Sequence, residues 1–262
     1  MLISIKRLLV RFMAPTPYHV RRRLPTITLG PLSLLLTTSW AREECLNIIQ
    51  VGACDGTSSD PIHRYLKAGT SRAILIEPNP LAFQRLERAY RGVPGVTLMQ
   101  AALGERDGEA TLYRVKKSDN AASEIDWSLQ FASFSRAHVK RHGVRDDEME
   151  AITVPCRTLS SVMKEHGMSK IDLLQIDAEG FDAAIVRAAL KLPLLPKCIN
   201  FEHSHLPLFE RNPLYHSLKS NEYLLCYDSW DILAVQENLV DQMRSQMASA
   251  YSSAALVDRR KS

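Results

Sequence analysis

The chain has 262 residues, 45% of them hydrophobic and 24% charged, which suits one large soluble α/β domain with a full core. Five scattered cysteines (Cys45, Cys54, Cys156, Cys198, Cys226), odd in number and without a C-x-x-C, indicate neither a disulfide framework nor a zinc site. They favour a reducing, cytoplasmic setting. The net charge of +4 is unevenly held: the first 42 residues carry +7 and no acid, and the remainder carries −3, so no nucleic-acid footprint is expected over the main domain.

Residues 1–42 read as a basic, apolar appendage. Met1 to Met13 is rich in Leu, Ile, Val, Phe and Met, with Lys6, Arg7 and Arg11 to one side, and Pro15 and Pro17 end it. Three readings stay open. It is a helix lying on an anionic membrane surface, so that residues 1–23 attach the chain to the inner face of a membrane; or an organelle transit peptide; or an ordinary helix with a solvated basic face. Leu24 to Trp40 is interrupted by Pro25, Gly30 and Pro31 and falls short of the roughly 20 apolar residues of a spanning helix.

The main domain is expected over residues 43–244, where strand and helix alternate as in a parallel sheet covered on both faces. The apolar run Leu46 to Val51 ends in Gly52-Ala53-Cys54-Asp55-Gly56, and the run Ala73 to Ile76 ends in Glu77-Pro78-Asn79. Strand, glycine turn, helix, and a second strand with a carboxylate at its end make half a nucleotide-binding sheet. Glu77 is placed to accept from two ribose hydroxyls. The glycines do not form G-x-G-x-x-G, and Asp55 in the turn would repel a pyrophosphate but tolerate a cation. S-adenosylmethionine, with a ribose, a sulfonium and no phosphate, fits these residues. The plainer alternative is that Gly52 and Gly56 only shape a turn and Glu77 only caps the next helix.

Pro80 opens a helix with Phe83, Leu86 and Tyr90 on one face, and Val96 to Gln100 is a third strand ending in Ala101-Ala102-Leu103-Gly104. Small residues there leave room for an adenine against the backbone. Glu109 to Val115 alternates as a strand. Lys116 to Glu150 is irregular and polar, with Trp127, Phe131, Phe134, His138 and His142, and reads as a segment covering a substrate. Thr153 to Cys156 is a strand and Ser160 to His166 a helix.

A second chemical cluster follows. Ile171 to Ile176 runs into Asp177-Ala178-Glu179-Gly180 and a helix from Phe181 to Lys191, and a strand from Lys197 to Phe201 ends in Glu202-His203-Ser204-His205. Each of Asp177, Glu179, Glu202 and His203 alone is as well explained as a cap or a solvated loop residue; their convergence at strand ends points to chemistry. Tyr223 to Tyr227 and Asp231 to Gln236 form a terminal hairpin, and residues 245–262 read as a disordered tail.

Taken in order, these blocks resemble the FkbM-type S-adenosylmethionine-dependent methyltransferases from about Asn47 to Leu206. Val51 to Gly56 stands for the family's V-G-A-N-x-G and Ile76 to Asn79 for its E-P-N. Ala101 to Gly104 and Arg157-Thr158-Leu159 also match, as does Ile171 to Gly180 for I-D-L-L-K-I-D-x-E-G. Departures are Gln50 where an acid is common, Cys54 for Asn, Gln175 for Lys, and Ser160 for Asp. The resemblance implies the seven-stranded Rossmann-like class I fold, a mostly parallel α/β sheet with a terminal antiparallel hairpin. It also implies methyl transfer to oxygen, often on a sugar, glycan or natural-product hydroxyl.

Cofactor contacts are expected from Gln50, Gly52, Ala53, Asp55, Gly56, Glu77, Pro78, Asn79, Ala101 and Ala102, with Asp55 the alternative to Gln50 for the methionine ammonium. Asp177 and His203 are the candidate bases, with Glu179 and Glu202 orienting the acceptor. Acidic groups around two sugar hydroxyls suit magnesium, but the sequence defines no metal ligand set. The competing class is a non-catalytic S-adenosylmethionine-binding scaffold on a membrane-bound glycan assembly.

Overall fold

The computed structural model describes residues 30–38, 45–69, 71–116, 132–228 and 230–245. The expected helix from Met1 to Met13, Trp127, Phe131 and the tail after residue 245 lie outside them. The order is α1 (Pro31–Leu35), β1 (Asn47–Val51), α2 (His63–Lys67), β2 (Arg72–Ile76), α3 (Pro80–Ala89), β3 (Val96–Met99), β4 (Ala102–Leu103), β5 (Gly108–Val115) and β6 (Ala132–Ser133). There follow α4 (Arg136–Arg141), β7 (Met149–Arg157), α5 (Leu159–Glu165), β8 (Leu173–Ile176), α6 (Asp182–Ala189), β9 (Cys198–Glu202), α7 (Leu208–Ser220), β10 (Tyr223–Tyr227) and β11 (Asp231–Gln236). Residues 237–245 are helical.

The main sheet has seven strands in the order β10-β11-β9-β8-β1-β2-β3. β11 runs antiparallel to both neighbours, and the other pairings are parallel. β1, β2, β8 and β9 are apolar and buried on both faces, as a parallel sheet between helix layers requires. Ile49, Val51, Ile74, Ile76, Leu174 and Phe201 pack with α5, α6 and α7 on one side. Ile48, Leu75, Leu173 and Leu233 pack with α1, α2 and α3 on the other. The carboxyl ends of β1, β2 and β8 open together on one edge, where ligands bind in open α/β sheets.

A second sheet of four strands, β4-β7-β5-β6, stands beside this edge. The segment read as irregular contains β6, α4 and the start of β7. Its helix is legible only through Ser135, whose side chain caps it by accepting from His138 N, since Val139 is its one buried aliphatic residue. Helix α7 carries no strong signal either: it contains Pro213, and only Leu214 and Leu218 are buried. The packed domain begins before residue 43, because Leu32, Leu35 and Leu36 of the α1 region are buried in the core. Among the described residues, no helix is long and apolar enough to cross a membrane.

Candidate active site

The two glycines of the first turn serve packing between chain segments. Gly52 has φ +76°, and a Cβ there would lie 1.8 Å from the Asp177 carbonyl oxygen. Gly52 N and Ala53 N both donate to Ile76 O (2.9 and 3.1 Å), and Asp177 N donates to Val51 O (2.9 Å). The ends of β1, β2 and β8 are thereby laced into one rim. At Gly56 (φ +70°) a Cβ would strike Leu86 and Tyr90 at 2.5 and 2.6 Å, so this glycine seats the turn on α3 and does not line the cleft.

Beneath that rim lies a cleft of about 160 Å³. Glu77 is buried in its wall, with Oε2 accepting from Cys54 N (2.8 Å) and Oε1 from Asn79 N (2.7 Å). Each oxygen keeps a lone pair for a ligand hydroxyl. Burial lifts the Glu77 carboxyl from 4.5 to about 7, and the nearby Glu179 charge adds to this against the two backbone bonds. Cys54 and Pro78 line the cleft. Asn79 lies behind it: its Oδ1 caps α3 through Leu81 N and accepts from the Arg114 guanidinium at 2.9 Å.

Gln50 is 4% exposed at the cleft floor, and its Oε1 is buried without a hydrogen-bond partner. The Asp55 carboxylate is consumed by its own turn, accepting from Thr57 N, Ser58 N and Ser58 Oγ at 2.9, 2.7 and 2.6 Å. The acid that reaches the cleft is Asp60, whose Oδ1 accepts from Ile62 N (2.9 Å) while Oδ2 is buried and unpartnered. Nothing in the sequence distinguishes Asp60 from a helix cap, because only the loop's path turns it inward.

Ala102 and Leu103 line the cleft, and Ala101, whose N–H is taken by Met99 O at 3.1 Å, does not. The opposite wall comes from the second sheet: Leu112, Ala132 and Ser133, then Phe134, which stands edge-on to Phe181 with centroids 5.0 Å apart.

Asp177 and Glu179 both line the cleft. The Asp177 side chain opens to the water of the cleft yet is enclosed by protein on its other sides. Burial, then Glu179, Asp182, Glu202 and Asp231, hold its carboxyl well above the usual range. Its wet face tempers that rise, and a cationic ligand in the cleft would oppose it. Glu202 sits one layer away, accepting from Ser204 Oγ and lying 3.1 Å from His205 Nε2. His203 is not brought to the cleft lining. Its Nδ1 meets the Tyr215 hydroxyl at 2.6 Å, its N–H donates to Trp230 O, and burial lowers its pKa. The imidazole beside the acidic pair is instead His138, whose Nε2 is 3.0 Å from Glu179 Oε2. Its partner His142, four residues on, was the available sequence signal.

Fold and cleft define an α/β protein with a ligand-sized cleft and carboxylates at its strand ends. The chain belongs to the FkbM methyltransferase domain family, whose model matches residues 50–250. An FkbM methyltransferase of Methylobacillus flagellatus KT is similar in structure, with 16% identity, TM-score 0.44, and 76% of this chain and 47% of that one covered. This chain thus spans about half the length of that relative. Fibrillarin of Aeropyrum pernix, in complex with natively bound S-adenosyl-L-methionine, aligns at 12% identity and TM-score 0.39 over 73% of this chain and 67% of its own. A precorrin-6y C5,15-methyltransferase of Geobacter metallireducens GS-15 aligns at 12% and 0.38 over 74% and 81%. No curated protein sequence is significantly similar to this chain.

Proposed function

We propose that this chain is an S-adenosylmethionine-dependent methyltransferase acting on a hydroxyl oxygen of a sugar, glycan or natural product. The observation that carries the reading is the row of unsatisfied acceptors along one cleft. Glu77 is fixed by two backbone donors with lone pairs to spare, and the buried Gln50 Oε1 and Asp60 Oδ2 lack partners. Buried polar atoms are rarely left unpaired without a ligand or ordered water to meet them. A ribose on Glu77 and a methionine ammonium between Gln50 and Asp60 would satisfy all three, and the Ala102–Leu103 backbone with Leu112 and Phe134 would enclose the adenine.

The cofactor supplies an activated methyl group on a positive sulfonium. The protein has to align the acceptor oxygen in line with it and exclude water. In this reading Asp177, whose carboxylate faces the cleft from the end of β8, takes the hydroxyl proton as the bond forms. Glu179 orients the acceptor, and Glu202 and His205 hold the charge around them.

Purified protein incubated with methyl-labelled S-adenosylmethionine and a panel of glycans, glycolipids and polyols should label a hydroxylated acceptor. Asp177→Asn should keep cofactor affinity within about a few-fold and cut turnover on the order of 10² or more. Cofactor binding without labelling of any fraction would favour the scaffold reading, and full activity in Asp177→Asn would remove that carboxylate from the chemistry.

A further inference from the structure

His138 and His142 lie one helical turn apart on α4 and its closing residue, the spacing at which two imidazoles reach one ion. Their Nε2 atoms are 3.1 Å apart. Glu179 Oε2 lies 3.0 Å from the first and 4.0 Å from the second. Metal–ligand bonds of about 2.0–2.2 Å at tetrahedral angles separate ligand atoms by about 3.3–3.5 Å, which these distances bracket. Hydrogen bonding alone accounts for the cluster poorly. His138 Nε2 has a single in-plane position, a proton or a lone pair, yet it faces two polar atoms in different directions at bonding distance.

The surroundings are built to hold this arrangement. Glu179 adopts φ +47°, a left-handed conformation that is uncommon for a non-glycine residue. Its carbonyl accepts from Ser133 Oγ at 2.8 Å. A Cβ at Gly180 would come within 2.9 Å of His138 Nδ1, so the glycine admits the buried ring. His205 stands edge-on to both rings, with centroids 5.2 and 5.4 Å away, and joins them to Glu202. Arg141 at the surface contacts His138 Nδ1 at 3.3 Å. A metal on Nε2 would place the proton on Nδ1, so this guanidinium must swing away when an ion enters.

We propose that His138, His142 and Glu179 bind one divalent transition ion of the zinc type, with three protein ligands and an open fourth position. Two imidazoles and one carboxylate favour such an ion over magnesium, which prefers oxygen. Binding of the ion stands on these contacts alone. Its use in catalysis rests on the methyltransfer reading: Glu179 also lines the cleft, so the ion would border the acceptor and could polarise its hydroxyl.

The test uses the untagged full chain, stripped with a chelator, loaded with Zn²⁺ or Co²⁺, and freed of excess metal by gel filtration. About one equivalent should be retained, with the intense visible absorption of low-coordinate cobalt, and excess Mg²⁺ should not displace it. His142→Ala, at a partly exposed position, and Glu179→Gln should each weaken retention by more than the roughly 10–100-fold that loss of a supporting residue costs. Calorimetry of S-adenosylmethionine on His142→Ala should match the wild type, so failure of the metal site and failure of the cofactor reading are read separately. No retained equivalent in the wild type, or equal retention in His142→Ala, would overturn the proposal.

Discussion

Gly52 and Asp177 approach so closely that no side chain fits between them: a Cβ on residue 52 would lie 1.8 Å from the Asp177 carbonyl oxygen and 2.8 Å from its carbon. The contact joins the two sequence motifs at the rim of the cleft. Gly52→Ala must both adopt a left-handed φ and push the β1 and β8 ends apart. It should lower stability by at least about 2 kcal/mol and abolish cofactor binding. Gly92→Ala is the control, with φ +74° and nothing within 4 Å, and should cost only about 1–2 kcal/mol. Equal denaturation midpoints for the two variants would show that the close approach is not what position 52 requires.

Glu77 should anchor the ribose of the cofactor. Its carboxylate is held by Cys54 N and Asn79 N, so it is preorganised for a pair of vicinal hydroxyls. Glu77→Ala should weaken S-adenosylmethionine and its demethylated product by about ten-fold or more, since charged hydrogen bonds are worth about 1.5–3 kcal/mol each and are not additive. NAD should bind neither form. Isothermal titration showing unchanged affinity in the variant would remove Glu77 from the site.

Asp182 gives the apoprotein a pH-dependent stability. It is 1% exposed, and burial, with Glu202 adding, raises its carboxyl from 3.8 to about 7. Between those values the folded protein keeps a proton that the unfolded chain has released. Stability should therefore fall as pH rises through this window and level off above about 7. Glu77, raised to about 7, contributes over the upper part of the same range. Asp182→Asn, which retains an acceptor for Ala178 N, should reduce the drop in melting temperature between pH 5 and pH 8 by several degrees without removing it. An unchanged slope would mean that Asp182 is ionised in the folded state.

Two truncations should behave differently. Deleting residues 1–23 should leave the melting temperature and cofactor affinity intact while reducing co-sedimentation with anionic vesicles. Deleting through residue 38 also removes Leu32, Leu35 and Leu36 from the core. At about 1.5–3 kcal/mol for each fully buried leucine, that protein should melt markedly lower. Loss of cofactor affinity in the shorter deletion would make the first segment part of the fold, and equal vesicle binding would end its surface role.

The strands of the main sheet were legible in the sequence because each is a short apolar run closed by a turn signal, as in Leu46 to Gly52 and Ala73 to Pro78. The terminal hairpin has the expected limits, Tyr223–Tyr227 and Asp231–Gln236. Glu77, Asp177 and Glu179 stand at strand ends, and alternation with helices makes those strands parallel, so local pattern places all three on one sheet edge, while the pairing of β1 with β8 that brings them together is long-range. Which neighbours those residues meet depends on contacts between distant segments. Asp55 and Asp60 are equivalent acids in one loop until hydrogen bonds turn the first on itself and the second inward. His203 and His205 are two residues apart, yet Tyr215 holds one ring, and Glu202, His138 and His142 surround the other. The pairing of His138 with Glu179 spans 41 residues. It exists only because the second sheet carries α4 over the end of β8, a placement that no local period in the sequence records.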